Sequence, residues 1–322
     1  MFHALTCSWA RFVASPIAVV VAYATTVLIW GTTWLGIKVS LASIPPIAGA
    51  GFRFILASLV LYVMGAVFRV DFRRNQPPWH LIAVLALSMF GINYALTYLA
   101  ETHLASGLVA VLFGTMPFFI FGFARVLVRE PVSRNTLIGA VLALGGVAVI
   151  SLVGDMRAEL MYVVAALIAS ASSGFANVYL KRFASSEPLA TLPPAMLIAG
   201  VGLTIGGLVF EHVDPARATS SGSLAAVAYL AVFGSALAFY LNHWLLQRVS
   251  AGIMGLSALM IPVIAVAVGA LAGGEVFGIR DLAGAALVVG GVWLSLAAPQ
   301  VKRQRRKATV SAIIAARAAA GD

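Results

Sequence analysis

Apolar residues recur along the chain in long runs that are separated by short polar connections. A helix needs about 20 mostly apolar residues to cross a bilayer. The connections are short and often contain Pro, Gly or Ser, so none of them can fold as a separate domain. The pattern predicts an all-α integral membrane protein with ten transmembrane helices, at residues 17–37, 47–68, 79–99, 105–128, 135–153, 160–180, 191–210, 224–245, 252–272 and 281–298.

The first run has two interpretations, a cleaved signal peptide or a retained span. Its apolar stretch from Ile17 to Trp30 is long, and the next run follows at once. We therefore favour a retained first span.

Composition agrees with lipid as the solvent. Hydrophobic residues make up 61% of the chain and charged residues 10%, with a mean hydropathy of +1.01. Soluble domains average about 45–50% apolar and about 25% charged residues. The net charge of +10 could suggest nucleic acid, but the charges lie in loops and in the tail. That placement is typical of membrane orientation, and we expect no nucleic-acid partner.

The distribution of Lys and Arg predicts the orientation of the chain. Sixteen lie on one side of the predicted membrane, against Lys38, Arg157, Arg217 and Arg280 on the other. Positive residues collect on the cytoplasmic side, so both termini are expected in the cytoplasm of a cell with an inner membrane. The basic tail after Pro299 is interpreted as a solvated, orienting segment, with binding to anionic lipid as the alternative.

The second half of the sequence repeats the first. A shift of 143 residues aligns Trp30–Lys38 with Ser173–Lys181. An ungapped shift of 145 residues then places Gly107 on Gly252, Pro117 on Pro262, Glu130 on Glu275, Gly139 on Gly284 and Gly145-Gly146 on Gly290-Gly291. We therefore divide the chain into a cytoplasmic segment 1–16, a first repeat 17–155, a second repeat 156–298 and a basic cytoplasmic tail 299–322.

Each repeat carries five predicted spans, which is an odd number, so the second copy enters the bilayer from the opposite side. Inverted repeats are typical of secondary transporters, whose site lies near the midplane between the halves. Gene duplication in a static membrane protein is the alternative. The inversion favours transport, by alternating access around a central cavity.

The doubled motifs resemble the drug/metabolite transporter superfamily, and within it the EamA-domain proteins of ten spans. The resemblance covers residues 17–298, and the features that carry it are Trp30-Gly-x-x-Trp34-x-x-x-Lys38, Arg53-Phe54, Pro117…Glu130 with its copy Pro262…Glu275, and the two Gly-Gly pairs. The resemblance implies two inverted five-helix EamA repeats and an inner-membrane metabolite carrier, usually an exporter. One branch, the YddG type, exports aromatic amino acids. Ser173 and Asn177 depart from the pattern, where the first repeat has tryptophans, which indicates an asymmetric substrate site.

Polar and aromatic residues within the spans are the candidates for a cavity, because polar groups in lipid are costly. In the third span Asn93 and Thr97 are four residues apart, as are Tyr94 and Tyr98, so together they form one polar-aromatic stripe, which the repeat shift matches with a second stripe in the eighth span. The candidate substrate-binding residues are Trp30, Trp34, Asn93, Tyr94, Tyr98, Ser173, Asn177, Phe239, Tyr240 and His243. The alternatives are aromatic anchoring at the interface, above all for Trp34 and Tyr98, and hydrogen bonds between helices.

Prolines and charged residues give a second group of candidates. Pro117 and Pro262 are expected to kink their helices in mid-span and act as hinges. Glu130 and Glu275 end their spans and are assigned structural or gating roles. Lys38, near the outer face, can extend to water.

Arg53 lies inside the second span, also toward the outer face. It is expected to pair with a backbone carbonyl or with Glu101. For both Lys38 and Arg53 the alternative is to attract an anionic group of a substrate.

The remaining inventory bears on chemistry and coupling. Cys7 is the only cysteine and the five histidines are scattered, so we expect no cofactor, no metal site and no membrane-embedded enzyme. No Asp or Glu lies deep in a predicted span, so proton coupling would need His243 or a group near a span end. Uncoupled export fits equally well.

We expect an exporter of small metabolites, chiefly aromatic or other neutral amino acids. Other metabolites or drugs are the alternative within the family. Outside it the alternatives are a scaffold and, less favoured, a membrane-embedded enzyme. The expected partners are a small-molecule substrate and the bilayer. Monomer and homodimer both stay open.

Overall fold

The computed structural model describes residues 15–104, 109, 112–151, 160–211, 220–261, 263–264 and 279–297. Within these ranges the chain forms helices and no strands, which confirms the all-α prediction. In these ranges the ten predicted runs contain the helices α1 Pro16–Leu41, α2 Pro46–Val67, α3 Trp79–His103, α4 Met116–Leu127, α5 Arg134–Ser151, α6 Leu160–Arg182, α7 Pro188–Phe210, α8 Ser221–Leu246, α9 Ala251–Ile261 and α10 Ile279–Ala297.

The helices differ in length and composition. In the described part of the chain, six helices are long and apolar enough to cross a membrane: α1, α2, α3, α6, α7 and α8. The described apolar parts of α4, α9 and α10 are shorter. Many large apolar side chains point outward, such as Phe210, which is 85% exposed, and Trp293, which is 69% exposed. Such a surface is suited to lipid.

Two of the long helices change their winding in the middle. Residues Leu85–Ile92 of α3 and Leu230–Leu237 of α8 are π-helical. The repeat shift of 145 residues places one stretch on the other from end to end. π-helical segments are rare and often mark functional sites. The hydrophobic pattern gave no sign of them.

Helices α2 and α7 pack directly against each other and run in opposite directions. A Cβ at Gly207 would meet Ala48 near the start of α2, and one at Gly51 would meet Thr204. Farther along α2, the hydroxyl of Ser58 donates to the carbonyl of Pro193 at 2.7 Å. Residue numbers therefore rise along α2 as they fall along α7.

Helices α5 and α10 show the symmetry directly. Gly139 approaches Gly291 backbone to backbone, and Gly146 approaches Gly284 in the same way. The repeat shift places Gly139 on Gly284 and Gly146 on Gly291, so exchanging the two halves reproduces the contact. This reciprocity is the property of a two-fold axis. Because the paired helices are antiparallel, the axis crosses them, and the second repeat is inverted relative to the first.

The contact between α5 and α10 predicts different outcomes for two adjacent glycines. In Gly146→Ala the new Cβ would lie 2.6 Å from the carbonyl oxygen of Gly284, so the helices must separate. We expect a destabilisation of about 1–3 kcal/mol, measured as a lower melting temperature in detergent. Gly145→Ala is the matched control, because its Cβ would meet nothing within 4 Å. Equal melting temperatures for the two variants would contradict the packing.

Candidate functional site

A cavity lies between the two repeats. Its lining comes from α1–α4 and from Phe113, just before α4, in the first repeat and from α6, α8 and α9 in the second. The predicted residues that the structure brings together there are Trp30, Trp34, Arg53, Asn93, Tyr94, Ser173, Asn177 and Phe239. Lining residues outside the predicted set are Thr33, Ile37, Thr97, Phe113, Met116, Ile120, Asn242, Met254, Gly255, Ser257 and Ile261.

Much of this lining is matched between the repeats. The shifts of 143 and 145 residues relate five pairs that line the cavity: Trp30 with Ser173, Trp34 with Asn177, Tyr94 with Phe239, Thr97 with Asn242, and Met116 with Ile261. Equivalent positions therefore face one space from both sides of the two-fold axis. Thr97 and Asn242 belong to the same predicted stripes as Tyr94 and Phe239, and the repeat places Thr97 on Asn242.

Aromatic rings connect the halves across the cavity. The rings of Trp30 and Phe239 are 5.5 Å apart in an edge-to-face arrangement, and those of Tyr94 and Phe239 are 6.4 Å apart. Phe54 packs edge-to-face on Tyr94 at 4.7 Å. Such pairs add to the burial of apolar area. One wall of the cavity is therefore a continuous aromatic surface.

Amide side chains form the polar part of the wall. The Nδ2 of Asn242 donates to the Oδ1 of Asn177 at 3.1 Å, which joins α8 to α6. The hydroxyl of Thr97 donates to the Oδ1 of Asn93 at 3.3 Å within α3. Within the described part of the protein, the Oδ1 of Asn242 and the Nε1 of Trp30 are buried without a hydrogen-bond partner. Both residues belong to the cavity lining.

Arg53 is the charged residue of the described lining, and it is only 1% exposed. Its Nε donates to the hydroxyl of Ser235 at 2.7 Å and its Nη2 to the carbonyl of Gly234 at 3.1 Å. Both acceptors lie in the π-helical stretch of α8. The Nη1 contacts the hydroxyl of Tyr98 at 3.5 Å, and the guanidinium carbon lies 4.9 Å from the centre of the Tyr94 ring. Of the two partners expected from the sequence, the backbone carbonyl is observed.

Three predicted cavity residues do not line it. Tyr98 is buried behind the lining, where it contacts Arg53. His243 is fully buried, with its Nε2 3.3 Å from the hydroxyl of Ser186. Tyr240 is half-buried and packs against the hydrophobic core instead.

The predicted hinge and gate residues are only partly described. Pro117 lies in the first turn of α4, directly after a turn at residues 114–115. The chain is therefore interrupted before Pro117, rather than kinked within a continuous helix as expected. A proline is well accommodated in a first turn, because no intrahelical partner awaits its missing N–H. Pro262, Glu275 and the side chain of Lys38 lie outside the described residues.

Glu130 joins two helices at the end of the bundle that is predicted to be cytoplasmic. Its Oε2 accepts from the backbone N–H of Ala251 at 3.1 Å, at the start of α9. Lys181 donates from its Nζ to the carbonyls of Leu246 and of Val249, the latter at 2.7 Å. The two side chains therefore hold the connection between α8 and α9 against α4 and α6.

The described geometry predicts that α6 presents Ser173, but not Ser170, to the cavity. Ser170 is fully buried and bonds the carbonyl of Phe113 at 3.3 Å, whereas Ser173 lines the cavity. In a Cys7→Ala background, we expect Ser173→Cys to react at least about tenfold faster than Ser170→Cys with a small methanethiosulfonate, because thiol reactivity follows exposure. Labelling rates measured by mass spectrometry test this. Equal rates would place Ser173 in closed packing.

Comparison with known proteins agrees with the repeat. A sequence model described as the EamA-like transporter family matches residues 17–152 and again residues 160–297. A solved crystal structure superposes with a TM-score of 0.77 at 20% identity, over 87% of this chain and 97% of the other, which shows the fold alone.

Relatives from bacteria carry transporter names. The chain is 30% identical over 252 residues to the uncharacterized inner membrane transporter YedA of Escherichia coli (strain K12), covering 77% of this chain and 80% of YedA. It is 25% identical over 275 residues to the uncharacterized transporter YoaV of Bacillus subtilis (strain 168), covering 83% of this chain and 93% of YoaV. These names do not include the branch that exports aromatic amino acids, so that assignment stays a prediction.

Proposed function

This chain belongs to the EamA-like transporter family and is a multi-pass inner membrane transporter, not an enzyme; on that premise we propose that it exports aromatic or other neutral amino acids by alternating access. The proposal places the substrate in the cavity between the repeats. It places both termini in the cytoplasm, because the predicted cytoplasmic side holds most of the Lys and Arg residues.

The observation that carries the proposal is the matched lining of the cavity. Five pairs of equivalent residues face it from two inverted repeats. If the repeats exchange conformations, the same lining is offered to either side of the membrane in turn. The clamp of Glu130 and Lys181 on the α8–α9 connection would open to admit the solute from the cytoplasm.

The chemistry of the lining supports a neutral amino acid. Aromatic surface from Trp30, Tyr94 and Phe239 suits an apolar side chain. The amides of Asn93, Asn177 and Asn242 can orient polar groups. Within the described lining no Asp or Glu is present, which disfavours organic cations as substrates. The direction of transport is inferred from the family resemblance, which implies an exporter.

Efflux from proteoliposomes tests the proposal. Purified protein is reconstituted into vesicles loaded with labelled phenylalanine, leucine or glutamine, and efflux is compared with protein-free vesicles. We expect efflux of at least one of these solutes, with competition among them. Absence of flux for a broad panel of amino acids, with flux of another metabolite class, would overturn the amino-acid assignment and keep the transporter.

Two tyrosines provide a matched pair of variants. Tyr94 lines the cavity, whereas Tyr240 packs against the core beside it. We expect Tyr94→Ala to lower the initial rate roughly tenfold, or about 1.4 kcal/mol, because it removes ring contacts with the solute. Tyr240→Ala should stay within about twofold of the unmodified protein at equal protein content. An equal loss in both variants would count against the described cavity as the site.

The carboxylate inventory predicts the effect of a proton gradient. No Asp or Glu lies deep in a predicted span, so the usual proton relay is missing from the sequence. We expect efflux from proteoliposomes to proceed at the same rate with a pH gradient and after nigericin dissipates it. A strong loss of rate would instead assign coupling to His243 or to a carboxylate near a span end.

A further inference from the structure

We infer that Arg53 receives the carboxylate of the transported solute, so that the site selects carboxylates over the corresponding amides and amines. The inference rests on the proposed function and deepens it. It names the chemical group that the substrate must carry and the side chain that binds it.

The first observation is a buried charge whose described partners are neutral. Arg53 is 1% exposed, and its hydrogen bonds go to a serine hydroxyl, a backbone carbonyl and a tyrosine hydroxyl. A guanidinium does not lose its proton in proteins. A buried ion without an opposite charge is costly, and within a membrane such residues face cavities and mark solute pathways. A carboxylate delivered by the solute would supply the missing negative charge.

The second observation is that the guanidinium of Arg53 is held in place and still has N–H donors that make no described hydrogen bond. The described bonds use one donor each from Nε, Nη1 and Nη2, and a guanidinium has five N–H donors. The face of Tyr94 lies 4.9 Å from its carbon atom, which adds a cation–π contact. The planar group is therefore fixed in orientation before the solute arrives. Its fork matches the two oxygens of a carboxylate.

The third observation is the position of the aromatic surface relative to the charge. The guanidinium carbon of Arg53 lies 4.9 Å from the centre of the Tyr94 ring, and the Tyr94 ring lies 6.4 Å from the ring of Phe239 on the cavity wall. A solute whose carboxylate meets Arg53 would lay its apolar part against Phe239. The positive charge and the apolar surface are therefore placed to contact the carboxylate and the side chain of an amino acid or a related monocarboxylate.

The fourth observation is that the charge is present in one repeat only. Under shifts of 143 to 145 residues, Arg53 corresponds to Met196, Leu197 or Ile198, none of which lines the cavity. Five lining pairs are matched, but this residue is not. The described lining therefore offers one cationic anchor, and the solute binds in one orientation with a single carboxylate.

Ligand binding to the purified protein tests the inference separately from transport. The probes are phenylalanine, 3-phenylpropionate, phenylalaninamide and phenylethylamine, with Kd measured by thermal shift in a Hepes buffer of low ionic strength that contains neither chloride nor a carboxylate. We expect both carboxylates to bind at least about tenfold more tightly than the amide and the amine. Equal affinity for phenylalanine and phenylalaninamide, or no binding of any probe, would overturn the inference.

Variants of Arg53 assign the selectivity to one side chain. Arg53→Gln should bring the ratio of acid to amide affinity close to one, and Arg53→Lys should retain part of it, because the charge remains without the fork. Ser235→Ala keeps the charge and loses one bond, so it gives an intermediate ratio if Arg53→Gln fails to fold. Arg248→Gln is the control, because Arg248 stacks on Trp244 outside the cavity. An unchanged ratio in both folded Arg53 variants would overturn the inference.

Three further outcomes separate the possibilities. If 0.15 M chloride weakens the binding of phenylalanine more than tenfold, the site is one for inorganic anions and the inference is wrong. If the acids bind selectively but no amino acid is transported, the proposed function fails and the carboxylate site stands. If amino acids are transported and phenylalaninamide competes as well as phenylalanine does, the proposed function stands and the inference about Arg53 is wrong.

Discussion

The structure depends on the backbone contact between equivalent helices at the two-fold axis. In lipid there is no hydrophobic driving force between helices, so their association relies on close packing and interhelical hydrogen bonds. Gly139 and Gly146 of α5 meet Gly291 and Gly284 of α10 with no side chain between them. Helices α2 and α7 approach in a similar way at Gly51 and Gly207. These two pairs set the inverted arrangement, and the remaining helices enclose the cavity.

The cavity collects the polar groups that the lipid-facing surface excludes. Asn177 and Asn242 bond each other between helices of the same repeat, while Arg53 crosses from the first repeat to Gly234 and Ser235 in the second. The charged contact therefore joins the halves, and its acceptors lie where α8 changes its winding. A movement of one repeat against the other would have to keep or exchange these bonds. The position of Arg53 is for this reason sensitive to the relative placement of the halves.

Much of the fold was predictable from the sequence. Bilayer thickness sets the length of each span, so the spans can be counted, and an odd number of spans per repeat requires the second repeat to be inverted. The site was predictable where the repeat placed two residues of related chemistry on one another, as with Tyr94 and Phe239. The prediction was wrong where two neighbouring residues of one helix had to be distinguished: Phe239 lines the cavity, whereas Tyr240 does not. Adjacent residues on a helix point about 100° apart, and the π-helical stretch just before Phe239 shifts that phase. Ser235 could not be identified as the partner of Arg53, because that contact depends on long-range packing.

The matched π-helical stretches also bear on the history of the chain. A π-helical turn takes up about one residue more than an α-helical turn, so each stretch records added length within a span. The two stretches begin and end at equivalent residues, Leu85–Ile92 and Leu230–Leu237. The simplest order of events is that a single ancestral unit of five helices already contained the widened turn when its gene was duplicated. The tryptophans of α1 and the arginine of α2 have no counterpart in the other copy, so they mark positions where the two copies differ.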